Sequence, residues 1–202
     1  MGNGILIILS GPSGSGKDTV LNKLVENRDD IKISVSMTTR EKRQGEIDGF
    51  HYYFVDREYF KRKISEDKVL EFAEYAGNFY GTPKAPVDEM LADGKAVILK
   101  IEVQGAEKIR KLYPNVISIF LMPPSMRTLE ERLRGRNSED EETLNHRLVI
   151  AREEMRRASE YDYMVVNDTV ENAVAGIEMI INAERLKTLR NKKLLSEVIN
   201  NV

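Results

Sequence analysis

Gly11-Pro12-Ser13-Gly14-Ser15-Gly16-Lys17-Asp18-Thr19 follows the apolar run Ile5-Leu6-Ile7-Ile8-Leu9 and leads into Thr19-Val20-Leu21-Asn22-Lys23-Leu24-Val25, a stretch compatible with a helix. The order is strand, glycine-rich loop, helix start. A phosphate-binding loop needs this order, because backbone N–H groups at a helix N-terminus point at the anion. Glycines let the backbone close round phosphate oxygens without Cβ clashes. Lys17 adds a mobile positive charge for the β- and γ-phosphates of a nucleotide. The match to G-x-x-x-x-G-K-[ST] fails at its last position, where Asp18 stands.

Working outward, strand-like apolar runs recur at Gly4 to Leu9, Ile33 to Ser36, Ala96 to Ile101, Val116 to Leu121 and Tyr163 to Val166. Helix-period segments such as Ala106 to Leu112 and Leu129 to Leu133 lie between most of them. Nearly all-apolar strands alternating with helices predict an α/β fold, a parallel sheet flanked by helices on both faces. In such sheets ligands bind beyond the carboxyl ends of the strands, where the glycine loop sits.

Two stretches break the rhythm. From about Ser36 to Asp88 the chain is richer in Tyr, Phe, Gly and charge. His51 to Phe54 and Leu70 to Ala76 read as short strands joined by a helix near Arg57 to Ser65, which predicts a small inserted lobe. The second insertion, Arg127 to Arg157, is charged and helical, with Asn137-Ser138-Glu139-Asp140 as a break and helix start. There Leu144, Leu148, Ala151, Met155 and Ala158 recur at helical spacing and predict packing. The tail from Leu186 to Val202 is basic, then apolar, and reads as a closing helix rather than a membrane anchor.

Bulk properties bound the rest. The chain has 202 residues, 41% hydrophobic and 32% charged, which suits one packed domain with inserted lobes. It has no cysteine, so disulfides, thiol catalysis and cysteine-based zinc sites are excluded. The apolar N-terminal run is too short for a signal peptide or a membrane span, which makes the cytoplasm the expected location. A net charge of -2 leaves no general footprint for nucleic acid. Positive charge for phosphorylated ligands has to be gathered locally, as at Arg40 with Arg43 and Arg132 through Arg136. Any one of these read alone is a solvated surface charge.

The motifs together resemble those of the guanylate kinases, P-loop nucleoside monophosphate kinases, along nearly the whole chain. The carriers are the loop GPSGSGK; Ser34-Val35-Ser36-Met37-Thr38-Thr39-Arg40 with Arg43, Gly45-Glu46 and Asp48-Gly49; Glu71-Phe72-Ala73; and Gly77-Asn78-Phe79-Tyr80-Gly81-Thr82. Ile101-Glu102-Val103-Gln104-Gly105-Ala106, Leu133-Arg134-Gly135-Arg136, Arg147 and Val166-Asn167-Asp168 complete the series. The resemblance implies a P-loop kinase core (1–35, 89–126 and 158–202), a GMP-binding lobe (36–88) and a helical lid (127–157). The implied reaction is ATP + GMP to ADP + GDP, with Mg2+ accompanying ATP.

On this resemblance Gly11, Pro12, Ser13, Gly14, Ser15, Gly16, Lys17, Asp18 and Thr19 bind ATP, with Asn167 and Asp168 on its adenine side. Arg40, Arg43, Tyr52 and Tyr80 hold the GMP phosphate, where guanidinium forks match phosphate oxygens and tyrosine hydroxyls add neutral donors. Glu71 and Glu102 accept from the N–H edge of guanine, and Ser36 and Thr82 donate to its O6. Lys17 and the lid arginines Arg132, Arg136 and Arg147 neutralise charge on the transferring group, as phosphoryl transfer demands. dGMP is a further candidate acceptor; nucleic acid and membranes are not expected partners.

Two positions depart from the family pattern. Asp18 replaces a Ser or Thr whose hydroxyl commonly touches Mg2+, and is placed to hold the ion through water. Lys100 stands where an acid is usual, two residues before Glu102. The paired reversal of sign predicts that Asp18 and Lys100 face each other. Two other functions compete: a kinase-like binding module without catalysis, and a P-loop kinase with another phosphorylated acceptor. Retention of Gly11, Gly14, Gly16 and Lys17 opposes the first; the set Ser36, Glu71, Thr82 and Glu102 opposes the second.

Overall fold

The computed structural model describes residues 4–75, 77–135 and 140–200. The glycine loop follows a strand, β1 (Ile5–Ser10), whose six residues are all buried. The odd residues Ile5, Ile7 and Leu9 enter one core and the even residues Leu6 and Ile8 enter another. Period-2 alternation of the side chains therefore explains why the run is apolar throughout: both faces of the sheet are covered.

The main sheet adds β2 (Ile31–Ile33), β7 (Ala96–Lys100), β8 (Ile117–Met122) and β9 (Tyr163–Val166), in the order β2-β7-β1-β8-β9. All its pairings are parallel, with Ile7 opposite Ile98 on one side and Ile117 on the other. One face is covered by α1 (Lys17–Val25) and α7 (Val170–Leu186), through Val20, Leu21, Leu24, Ala173, Ile177 and Ile181. The other is covered by α3 (Lys84–Ala92) and α4 (Val103–Leu112), through Val87, Ala106 and Ile109. β1 leaves toward β2 on one side while β8 lies on the other, so the crevice beyond its carboxyl end is the topological switch point of the sheet.

A second sheet, ordered β4-β3-β6-β5, is built from β3 (Met37–Thr38), β4 (Tyr53–Phe54), β5 (Val69–Tyr75) and β6 (Asn78–Pro83). It lies within the predicted lobe. Its helix α2 (Arg57–Ser65) has the bounds expected from sequence; the Asp56 carboxylate caps it by accepting from the Tyr59 amide at 2.6 Å. Phe60, on α2, is fully buried and stacks on Phe79 with ring centroids 5.4 Å apart. α3 carries the chain from this lobe back to β7, so the expected boundary at residue 88 falls inside a helix.

Two helices, α5 (Met126–Arg134) and α6 (Glu141–Arg156), share an apolar cluster of Leu129, Leu133, Leu144, Leu148 and Ala151. The predicted stripe is packing. The expected break at Asn137 to Glu139 lies outside the described residues, and Asp140 caps α6 by accepting from the Thr143 amide at 2.7 Å.

Two expectations need correction. The second strand runs Ile31–Ile33 rather than Ile33 to Ser36. Ile31 is the buried residue that pairs with Ala96, and Lys32 interrupts the apolar run that would have shown it. The Ser34 amide still donates to Ile98 O, and the chain then leaves for the second sheet. The tail forms a helix, α8 (Lys192–Asn200), but does not close on the core: Leu194, Leu195, Val198 and Ile199 are all exposed.

Candidate active site

Two loop glycines are fixed by what stands behind them. Gly14 has φ 88° and backs onto α5: a Cβ there would lie 2.9 Å from Leu133 Cδ2 and 3.0 Å from Leu129 Cδ1. Gly16, at φ 91°, precedes α1, and a Cβ there would run into Asn167 Nδ2. Only glycine meets both the conformation and the space at these positions. Asn167, just beyond β9, donates from Nδ2 to Ser15 O at 2.7 Å and is itself positioned by its amide on Met122 O at 2.8 Å. Its Oδ1 is buried with no hydrogen-bond partner among the described residues.

Lys17 opens α1 and curls over the loop, donating to Gly11 O at 2.5 Å and Pro12 O at 3.2 Å. Burial lowers its pKa, and the carboxylates of Glu102, Glu154 and Asp18 oppose that shift. Asp18 and Lys100 face each other as their reversed signs predicted, with Nζ to Oδ1 at 2.6 Å. Lys100 ends β7, beside β1, with Leu9 its partner in register. Burial pulls its pKa down, but Asp18 outweighs that, with help from Tyr52 and Glu102. Asp18 is 72% exposed, so the pair does little for stability; its effect is on the charge around the loop. Thr19 is exposed in the first turn of α1.

Two arginines, on α5 and α6, reach the same loop. Arg147 extends from α6 and donates from Nη2 to Ser13 Oγ at 2.5 Å. Arg132, on α5, donates to Ser15 O at 3.4 Å and Asn167 O at 3.0 Å. Arg136 lies outside the described residues. Asp168 is engaged in its own turn, accepting from the Thr169 amide at 2.7 Å and Asn172 Nδ2 at 3.1 Å, before α7.

The inserted lobe gathers a second set. Glu71 and Thr82 are a cross-strand pair of β5 and β6, and both are buried. Thr82 Oγ1 donates to Glu71 Oε1 at 2.8 Å. Burial raises the Glu71 pKa, with the Thr82 hydrogen bond and Lys108 pulling the other way. The β3–β6 register, Met37 opposite Gly81, sets Ser36 beside Thr82. Tyr52 and Tyr80 meet edge-on with centroids 6.0 Å apart, and the Arg40 guanidinium lies 5.7 Å from the Tyr52 ring centre. Glu102 stands at the start of α4, where its charge reaches Lys17, Lys100, Glu71 and Glu154. Arg43 is exposed on the loop before Glu46.

Two participants escaped the sequence reading. Glu46 holds Arg40 in a bidentate pair at 2.7 and 3.0 Å and accepts from the Arg43 amide at 2.8 Å. It thus orients one predicted phosphate ligand and fixes the backbone of the other. Glu154 sits on α6 seven residues beyond Arg147, on the face that carries Ala151, which was the available signal. Burial pushes its carboxyl up to about 7, with Glu102 adding and Lys17 opposing.

This gives a pH prediction. Unfolded, Glu154 titrates at its ordinary value of 4.5; folded, it holds its proton up to about 7. The folded state binds more protons between these values, so its stability falls as pH rises through that window. Thermal melts between pH 4.5 and 8 are expected to show this loss, and Glu154→Gln to reduce it; an unchanged slope in the variant would assign the loss elsewhere.

The arrangement joins an anion-binding loop with clustered cations to a lobe holding an arginine–tyrosine group and a buried carboxylate. It can bring two phosphorylated ligands together, one of them presenting hydrogen-bond donors to the buried carboxylate. Among the described residues no cluster of His, Cys, Asp and Glu forms a protein metal cage, and no helix is long and apolar enough to cross a membrane.

The sequence pattern of the family described as Guanylate kinase matches residues 3–184. The guanylate kinase of Carboxydothermus hydrogenoformans is 46% identical over 198 residues, covering 98% of this chain and 97% of that one. That of Clostridium perfringens is 50% identical over 194 residues, covering 96% and 90%. The crystal structure of guanylate kinase from Anaplasma phagocytophilum matches with a TM-score of 0.78 at 40% identity, covering 96% of this chain and 94% of that one.

Proposed function

The chain belongs to the guanylate kinase family, and from that premise we infer that it transfers the γ-phosphoryl group of ATP to GMP, giving ADP and GDP. The observation that carries the acceptor is the buried Glu71–Thr82 pair in the lobe that also holds Arg40, Tyr52 and Tyr80. Guanine offers N1–H and N2–H donors beside an O6 acceptor. Glu71 and Glu102 accept from the donors, and Thr82 and Ser36 donate to O6. Adenine lacks that donor edge and would leave the carboxylates unpaired, a strong ground for rejection.

Arg40, Arg43, Tyr52 and Tyr80 take the GMP phosphate; Arg40 leaves its pairing with Glu46 for the phosphate or shares itself between them. Residues 11–19 cradle the ATP phosphates, with Asn167 and Asp168 toward adenine. The nucleophile is already a phosphate oxygen, so position and charge neutralisation are the work to be done. Lys17, Arg132, Arg136 and Arg147 supply positive charge, and the lid (127–157), closing over the core (1–35, 89–126 and 158–202) and the GMP lobe (36–88), excludes water.

The donor chemistry fits Mg2+, which prefers oxygen ligands and retains most of its waters. Asp18 would hold it through water, and when bound with ATP it supplies charge neutralisation at the β- and γ-phosphates. We place the enzyme in the cytoplasm, with nucleotides as its partners and neither nucleic acid nor membrane.

A coupled ADP-release assay with GMP, dGMP, AMP, UMP and ribose bisphosphates tests the reading. Turnover is expected with GMP and not with AMP, UMP or the bisphosphates, and the dGMP arm shows whether the ribose is read. Absence of turnover with GMP would sink it. The Asp18–Lys100 pair makes its own prediction. Asp18→Ser and Lys100→Asp are each expected to lower kcat, with a coupling of at least about 1 kcal/mol between them. Additive losses in the double variant would mean that the pair acts as two independent charges.

A further inference from the structure

Glycine in a helix is less favourable than alanine, so Gly105 in the first turn of α4 needs a reason. Its φ is not positive. The reason lies across the gap to β5, which packs against α4. A Cβ on Gly105 would stand 2.7 Å from Glu71 Oε2 and 3.3 Å from its Cδ, with Ile101 Cβ next at 3.6 Å. The first two distances are inside van der Waals contact, and the atoms belong to a carboxylate with little freedom to retreat. Glu71 is buried, its other oxygen is held by Thr82 at 2.8 Å, and its backbone is fixed in the β5–β6 ladder.

The same turn is electrostatically suited to a carboxylate. Glu102 stands at the N-cap of α4 but makes no side-chain cap hydrogen bond, so the N-terminal end of the helix keeps its positive partial charge. Glu71 Oε2 lies against that turn, with Gly105 as the residue that lets it approach. Any side chain there would push the carboxylate away from the helix end and out of line with Thr82.

We propose that Gly105 is a specificity-determining positioning residue: by lacking a side chain it seats the Glu71 carboxylate against the first turn of α4 in the orientation that reads guanine. This rests on the reading of Glu71 as the acceptor for the guanine N–H edge. Gly105 touches neither nucleotide; it acts through Glu71. A methyl group at residue 105 therefore changes recognition of the acceptor base and not of ATP.

The test is a double-mutant cycle read in steady-state kinetics and thermal melting. Gly105→Ala is expected to raise KM for GMP by about tenfold, with kcat changed less and KM for ATP within twofold of the parent. Alanine is the better helix former, which offsets part of the strain and of the weakened Thr82 hydrogen bond, so the melting temperature should fall only slightly, and the unchanged KM for ATP separates a displaced carboxylate from a damaged fold. In a Glu71→Ala background the carboxylate is gone, and adding Gly105→Ala should change KM for GMP less than twofold. A KM for GMP unmoved by Gly105→Ala, a parallel rise in KM for ATP, or the same Gly105→Ala cost in both backgrounds would overturn the proposal. If Glu71→Ala itself leaves KM for GMP unchanged, the reading of Glu71 falls and this inference falls with it. If Glu71→Ala weakens GMP and Gly105→Ala does not, only the inference falls.

Discussion

Lys17→Ala is expected to lower kcat by at least about a hundredfold, the scale found when one preorganised charge-stabilising donor is removed from an active site. Lys17 is the first residue of α1, and its ammonium already lies against the loop carbonyls of Gly11 and Pro12. Glu102, Glu154 and Asp18 counter the burial that would otherwise favour its neutral form. Moving onto the β- and γ-phosphates exchanges weak carbonyl contacts for charged ones that strengthen as charge shifts during transfer. Single-turnover kinetics with saturating ATP and GMP isolates that step. The melting curve should move little, because Lys17 is not a member of the apolar cores. A near-normal rate would show that the catalytic charge lies elsewhere.

Glu71→Gln is the second large effect. The substitution preserves shape and burial but replaces a charged acceptor pair by one acceptor and one donor. Hydrogen bonds to charged groups are worth about 1.5–3 kcal/mol, so kcat/KM for GMP is expected to fall by about 10- to 150-fold. KM for ATP should not change, since Glu71 lies in the inserted lobe, on β5. The Thr82 hydroxyl, which now donates to Oε1, can still donate to the amide oxygen, so the lobe should stay folded. Because burial raises the Glu71 pKa, acid should imitate the variant: protonation removes the acceptor, and GMP affinity falls as pH falls. A variant whose preference for GMP over AMP equals the parent's would remove Glu71 from base recognition.

The sequence makes the phosphate loop legible because the loop is local: glycine spacing, lysine and flanking strand lie within about twenty residues, and each is required by backbone geometry. The parallel sheet was legible for a similar reason, since strands buried on both faces leave unbroken apolar runs. Asp18 and Lys100, 82 residues apart, were legible as a pair because two charges had exchanged sign together. What stayed hidden depends on tertiary neighbours. Glu46 looks like any loop carboxylate until the turn at Gly45, with φ 84°, folds it back onto Arg40. Glu154 follows Glu153 in a charged helix, and only the helix face separates an exposed carboxylate from one aimed at Lys17. Gly105 reads as part of a motif, but its purpose depends on how β5 packs against α4. The tail, basic and then apolar, gave the helix without its packing, since composition does not say what covers an apolar face.

The contact between Gly14 and α5 bears on how accurately Arg147 is placed over the loop. Leu129 and Leu133 press on the back of the loop and also belong to the apolar cluster that carries α6. The α5–α6 pair is therefore built onto the back of the glycine loop instead of onto a distant part of the core. Arg147, on α6, is thus referred to Ser13 through two packed layers only.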